Sequence, residues 1–265
     1  MKKILAAIAW CLLPVLLLGC GSFVQAPSVP APPPTVATEP PVPTNPYTPE
    51  DFVTEGDYLD CTAGESQLGI DVSYWQGQID WQQVRDAGVE FVMIRVGWRG
   101  SGQGILAEDE YAQANYEGAR AVGLKVGCYF FSQAITPQEA EEEADFLMER
   151  IRDWQLDMPV VYDWEYISAD SRTGNVDARL LTDCTKAFCE KLRRNGYVPM
   201  IYFNADQSHK QMYLEELTDY MFWLAMYESE MNYPYKIHMW QYTNTGSVPG
   251  IEGNVDLNLY FTYEE

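Results

Sequence analysis

Histidine, cationic side chains and pairable cysteines are all scarce in this 265-residue chain. It holds two histidines, His209 and His238, and 17 lysines and arginines against 39 aspartates and glutamates, a formal charge of −22. Two isolated histidines and no Cys-x-x-Cys or Cys/His spacing leave nothing that suggests a metal site, so neither a structural metal nor a cofactor is expected. A surface this acidic argues against nucleic acid and against adhesion to anionic polymers or lipids. Of the six cysteines, Cys11 and Cys20 belong to the extreme N-terminus. Cys184 and Cys189 stand about 140° apart around a predicted helix, too far round to bridge each other. Cys128 lies inside an apolar strand, as a buried thiol would. With Cys61 as the remaining one, no essential disulfide is expected.

Long apolar runs are also few, and the one that exists is N-terminal. Lys2 and Lys3 precede the almost wholly apolar Ile4–Leu18. This run is too short for a confident membrane span and reads as a signal peptide. Leu17-Leu-Gly-Cys20 resembles a bacterial lipobox, whose cysteine becomes the lipid-bearing first residue after cleavage. The expectation is an exported protein tied to the membrane through a lipid on Cys20 and through nothing else. Loss of Lys2 and Lys3 would take the charge from −22 to −24.

Ten of the sixteen prolines stand between Pro27 and Pro49. Such a segment cannot build a core; as an extended tether its residues would reach roughly 70 Å. The chain therefore divides into a signal (1–20), a Pro-rich disordered linker (21–66) and a catalytic domain (67–265), expected as a monomer. Deleting 27–49 should leave the fold's stability unchanged.

Regular patterning begins near Leu68. Apolar runs with strand character occur at Leu68–Ser73, Phe91–Gly97, Lys125–Ser132, Pro159–Trp164, Val198–Phe203, Phe222–Met226, Ile237–Tyr242 and Val255–Tyr260. Helical segments at Trp81–Ala87, Glu110–Ala121, Pro137–Asp153 and Ala178–Asn195 separate the early ones. Alternation at this spacing argues for a parallel sheet, and eight strands in about 200 residues for a closed barrel. The later connections are too short for full helices. The reading is an α/β fold: an irregular (β/α) barrel of eight strands and about five helices, with a groove at the strands' C-terminal ends.

Met158-Pro-Val-Val-Tyr-Asp-Trp-Glu-Tyr166 is the most informative segment. Alternate side chains of a strand share a face, so Val161, Asp163 and Glu165 point one way and Tyr162 and Trp164 the other. Two carboxylates at the end of so apolar a strand are costly to bury without a cationic partner or a function. Crowding raises the proton affinity of at least one, which suits a general acid. Asp71 falls at the end of the first strand and Asp256 on the last, and first and last strands are neighbours when a barrel closes. Tyr129 and Phe131 share a face of the third strand, while Tyr202 and Trp240 lie near the ends of theirs. These four could form a stacking groove for a ligand, or serve only as core. Arg95 is either the cation that holds the carboxylates ionised or part of a salt bridge elsewhere.

Several ordered motifs resemble one family. Gly69-Ile-Asp-Val-Ser-Tyr-Trp-Gln-Gly77 followed by Ile79-Asp-Trp81 is similar to the opening of glycoside hydrolase 25 lysozymes. Phe91-Val-Met-Ile-Arg-Val-Gly97 and Gly127-Cys-Tyr-Phe-Phe-Ser132 look like their second and third strands. Asp163-Trp-Glu165 matches their catalytic pair. Trp240-Gln-Tyr-Thr243, Val248-Pro-Gly-Ile251 and Val255-Asp-Leu-Asn258 resemble their C-terminal signature. The similarity spans roughly residues 68 to 262. It implies hydrolysis, outside the cytoplasm and facing the cell wall, of the β-1,4 bond from N-acetylmuramic acid to N-acetylglucosamine in peptidoglycan glycan strands. Glu165 would be the general acid and Asp163 its paired carboxylate, with Asp71 and Asp256 in support. A chitinase-like barrel would show a longer DxxDxDxE pattern, whereas Val160, Val161 and Tyr162 precede Asp163 here. A glycan-binding protein that had lost catalysis would not be expected to keep both carboxylates.

Overall fold

The computed structural model describes residues 42–228 and 230–263. Cys20, the signal and residues 21–41 of the expected linker lie outside these residues. The described part of that linker is folded. Strand β1 (Phe52–Glu55) pairs antiparallel with β2 (Tyr58–Cys61), turning at Gly56, whose φ of +63° suits glycine. Ahead of this hairpin Thr44 bridges Tyr235, and Asn45 N–H donates to the Pro234 carbonyl at 2.9 Å. Tyr47 packs its ring 4.8 Å from that of Phe261, and Phe52 packs 5.1 Å from Trp240. The linker boundary at 66 is therefore too late: 42–66 carries two aromatic anchors among its prolines and docks on the barrel.

Eight strands close the barrel: β3 (Glu65–Val72), β4 (Phe91–Arg99), β6 (Lys125–Ser132), β7 (Val160–Trp164), β8 (Pro199–Asn204), β9 (Met221–Ala225), β10 (Met239–Gly246) and β11 (Val255–Thr262). Short β5 (Leu106–Glu108) adds an antiparallel partner to the end of β4. Closure comes from β3, which pairs with β4 on one side and β11 on the other. The helices are α1 (Trp81–Asp86), α2 (Ala112–Ala121), α3 (Pro137–Ile151), α4 (Ala178–Arg194) and α5 (Ala205–Lys210). Asp80, Thr136, Asp177 and Asn204 cap α1, α3, α4 and α5, each accepting a backbone N–H from the first turn.

The sheet is mixed rather than wholly parallel. From β3 to β10 neighbours run parallel, but β11 is antiparallel to both β10 and β3. Only residues 247–254 join β10 to β11, too few for a crossover, so a hairpin is the available connection. Thr262 ends β11 opposite Glu65, the start of β3.

Alternation divides the strand side chains. Phe91, Met93, Val161, Met200, Trp223 and Met239 fill the barrel, while Tyr162 and Trp164 face out into the layer packed by α3 and α4. Gly69 is needed where the Phe91 ring crosses the barrel, because a Cβ there would sit 2.2 Å from the ring.

Candidate active site

Parallel strands that end together leave their last inward side chains around one mouth. Asp71 ends β3, Arg95 and Tyr129 come from β4 and β6, Asp163 from β7 and Tyr202 from β8; Glu165 stands one residue beyond β7. With Phe131, Asp256, Trp75, Trp223, Tyr227, Gln241 and Asn244 they line a cavity of about 310 Å³. The expected carboxylates Asp71, Asp163, Glu165 and Asp256 thus meet in one place. Asp256 is in register with Asp71, as expected of first and last strands, and this pair faces Asp163 and Glu165 from another part of the wall. A larger cavity of about 780 Å³ opens among Tyr47, Glu65 and Tyr263 with one carboxylate. Size does not locate the chemistry.

The four acids differ in their support. Asp71 Oδ2 accepts from the side-chain amides of Gln241 and Asn258, each at 2.8 Å. Tyr202 and Tyr227 donate to Gln241 Oε1 at 2.9 and 2.6 Å, and Trp223 Nε1 donates to Asn258 Oδ1 at 2.8 Å, which fixes how both amides face. Burial lifts the Asp71 carboxyl to about 6 against the lowering effect of those two amides. Asp163 is 4% exposed, and its Oδ1 has no hydrogen-bond partner among the described residues. Burial first, then the charges of Glu165 and Asp71, push its proton affinity well up, while Arg95 pulls it down. Burial and Asp71 likewise raise Glu165. Asp256 is lifted to about 8 by burial, then by Asp71 and Glu165. Four acids sharing so small a cavity cannot all be ionised near neutral pH.

Arg95 stands in a salt bridge with Asp109. Its Nε donates to Asp109 Oδ2 at 2.9 Å, and the guanidinium lies 4.7 Å from the Tyr74 ring centre. Asp109 is further held by the backbone N–H groups of Tyr74 and Tyr111. A paired arginine therefore sits in the cavity wall, close enough to favour ionised Asp163.

Trp240 does not belong to the site. It is 1% exposed, donates Nε1 to the Met226 carbonyl at 2.8 Å and packs on Phe52 outside the barrel. Met239 and Gln241 flank it and point inward, so parity sends Trp240 out. The residues that sequence reasoning missed are Gln241, Asn258, Tyr227, Trp223 and Trp75. Strand parity applied to Trp240-Gln-Tyr would have found Gln241; Trp75 and Asn258 stood within quoted motifs without a role. Trp75 is 73% exposed at the rim. A second cavity of about 470 Å³ adjoins the first, shares Glu165 and Tyr227 with it, and is further lined by Tyr166, Asn204, Gln211 and Glu228.

Comparison with known proteins fits this geometry. Residues 70–251 match the model of glycosyl hydrolases family 25. The chain is 31% identical over 201 residues to the uncharacterized protein YegX of Escherichia coli O6:H1, across 72% of this chain and 68% of that one. It is 29% identical over 196 residues to an autolytic lysozyme of Clostridium acetobutylicum, across 72% and 55% of the two. A family 25 glycosyl hydrolase from Bacillus anthracis shares the fold with a TM-score of 0.64 at 21% identity, over 80% of this chain and 96% of the other. The modular autolysin LytC of Streptococcus pneumoniae, solved with a synthetic peptidoglycan ligand, gives 0.64 at 26% identity over 74% of this chain. This chain spans about half of LytC, 47%.

Proposed function

The chain belongs to glycosyl hydrolase family 25, and from that we propose a muramidase that cleaves the β-1,4 bond between N-acetylmuramic acid and N-acetylglucosamine in peptidoglycan. The observation that carries the reading is the convergence of Asp163 and Glu165, from one strand end, with the Asp71–Asp256 pair of another wall. Glu165 is the general acid: it keeps its proton above the ordinary carboxylate range and lies between the two cavities. The reacting sugar occupies the four-carboxylate cavity, and the leaving sugar the adjoining one.

Asp163 and Glu165 share a strand face, and neighbours on one strand do not naturally straddle a sugar ring. That placement supports attack on the anomeric carbon by the substrate's own 2-acetamido oxygen. Glu165 protonates the leaving oxygen as the glycosidic bond breaks, and Asp163 orients the acetamido N–H and balances its developing charge. The bicyclic cation then takes up water, with Glu165 removing a proton. A second reading has its own support: Asp256 comes from a different wall and could activate water on the opposite ring face, which would invert the anomeric centre. Proton NMR of the first-formed product decides, since β retention fits acetamido participation and initial α release requires inversion. Digestion of defined peptidoglycan tests the activity itself. New reducing ends should be muramic acid, and glucosamine ends or no turnover would overturn the reading.

Lipid attachment at Cys20 is part of the proposal and rests on the Leu-Leu-Gly-Cys stretch alone; no described helix is long and apolar enough to cross a membrane. Cys20→Ala should abolish partition into detergent, and unchanged fractionation would refute the anchor.

A further inference from the structure

A general acid acts only if its backbone is held still, and Glu165 stands where strand order has ended. The last β7 pairs are Trp164 with Ser132 on β6 and Asp163 with Tyr202 on β8. The next two carbonyls, of Trp164 and Glu165, have left the ladder, and buried carbonyls without partners are costly. Two glutamines reach them from opposite sides. Gln207, in the first turn of α5, donates Nε2 to the Trp164 carbonyl at 2.7 Å. Gln133, immediately after β6, donates Nε2 to the Glu165 carbonyl at 2.7 Å and to the Ser132 carbonyl at 2.9 Å. Their exposures are 2% and 0%.

Each amide is itself oriented. Gln207 Oε1 accepts the Asn204 N–H at 3.2 Å, while Gln207 N–H donates to Asn204 Oδ1 at 2.9 Å, closing the cap of α5. Gln133 Oε1 accepts Thr173 Oγ1–H at 3.4 Å, and the Gln133 backbone is held where its carbonyl accepts Arg172 Nη1 at 2.6 Å, with Arg172 Nη2 donating to Glu139 Oε1 at 2.7 Å on α3. Trp164 adds a third tie, donating Nε1 to the Ala134 carbonyl at 3.1 Å. The grip therefore runs from α3 and α5 into the two peptide units that carry Glu165.

We propose that Gln133 and Gln207 are positioning residues of this enzyme, clamping the backbone at Glu165 so that its carboxyl meets the glycosidic oxygen. The inference rests on Glu165 being the acid. Gln133 lines neither cavity, so its loss should act on turnover rather than binding, whereas Gln207 also borders the adjoining cavity and its loss can reach both.

The test uses the full-length protein, peptidoglycan glycan oligomers and the variants Q207M, Q207E, Q133M, E165Q and E165Q/Q207M. Q207E keeps an oxygen for the α5 cap and turns the donor into an acceptor that faces the Trp164 carbonyl; Q207M is close to isosteric and uncharged. Kcat, KM and Tm are measured for each. The expected result is a kcat loss of about 10- to 100-fold in Q207M, Q207E and Q133M, with KM within about twofold in Q133M and no further kcat loss when Q207M is added to E165Q. Should Q133M fail to fold, the two Gln207 variants still decide. Wild-type kcat in folded Gln207 variants overturns the proposal, and so does an equal loss of kcat in the presence and absence of Glu165. An inactive wild type, or an E165Q variant as active as wild type, would instead overturn the functional reading beneath it.

Discussion

Replacing Asp71 with asparagine should make the protein more stable and less active, in a pH-dependent way. Asp71 titrates at about 6 when folded against an ordinary 3.8, so its ionisation works against the fold. At about 1.4 kcal/mol per pH unit, the cost approaches ~3 kcal/mol once both states are ionised. The sign follows from the raised value. Well below pH 3.8 the carboxyl is protonated in both states and costs nothing; the cost grows as pH rises from there through 6 and levels off above. Both amides bond the same oxygen, Oδ2, so an asparagine can present its Oδ1 there and keep both bonds. Asp71→Asn should therefore match wild type at pH 3.5 and exceed it by ~3 kcal/mol at pH 8. For a domain of this size that is a gain in Tm of about 6–12 °C. Scanning calorimetry at pH 3.5, 6 and 8 reads it. A Tm difference that does not grow with pH, or a loss of stability at pH 8, would refute the reasoning. Because the charge of Asp71 also raises Glu165, the alkaline limb of kcat should move to lower pH in the same variant.

Glu165→Gln should lower kcat by about 10²–10⁴, with Asp163→Asn severe but less so because the acid survives; a milder Glu165→Gln in initial-rate assays would contradict the assignment. Tyr47→Ala should cost about 2 kcal/mol, since the half-buried ring packs on Phe52, Phe261 and Tyr263, and thermal melts showing no change would mean 42–49 is not part of the folded unit. Trp240→Phe should lower Tm without raising KM, whereas Tyr227→Phe should change kinetics by removing one of the two donors to Gln241; the reverse pattern would return Trp240 to the substrate.

Every barrel strand was legible because its apolar run is bounded by turn residues and broken only by single polar residues such as Asp71, Arg95 and Asp256, and the ends shift by only a few positions. The meeting of Asp71, Asp163, Glu165 and Asp256 was legible for a simple reason: parity and strand order together fix which side chains share a mouth. Trp240 shows where this stops. Its residue type suggested sugar stacking, but one position along a strand separates the cavity from the outer core, and the neighbouring Gln241 is the one inside. The segment 42–66 was obscured by composition. Pro43, Pro46 and Pro49 continue the Pro-rich run that begins at Pro27, yet Tyr47 and Phe52 bury enough surface to dock the segment, and single anchors do not show in a compositional average. The amides at Gln133 and Gln207 bond carbonyls, whose need for partners depends on where a strand stops pairing and so leaves no residue-type signal.

The backward run of β11 sets how this domain is mounted. It starts at the mouth with Asp256 and descends to Thr262, beside Glu65 where β3 begins its climb. Strand β3 thus begins, and β11 ends, on the face opposite the cleft. A module joined after β11 would attach behind the enzyme and leave the mouth unobstructed. The hairpin 247–254, by contrast, hangs at the mouth, so lengthening it would narrow access to a polymeric substrate. Grafts after β11 and grafts in that loop should therefore differ in kind: the first change where the enzyme is held, the second what it can admit.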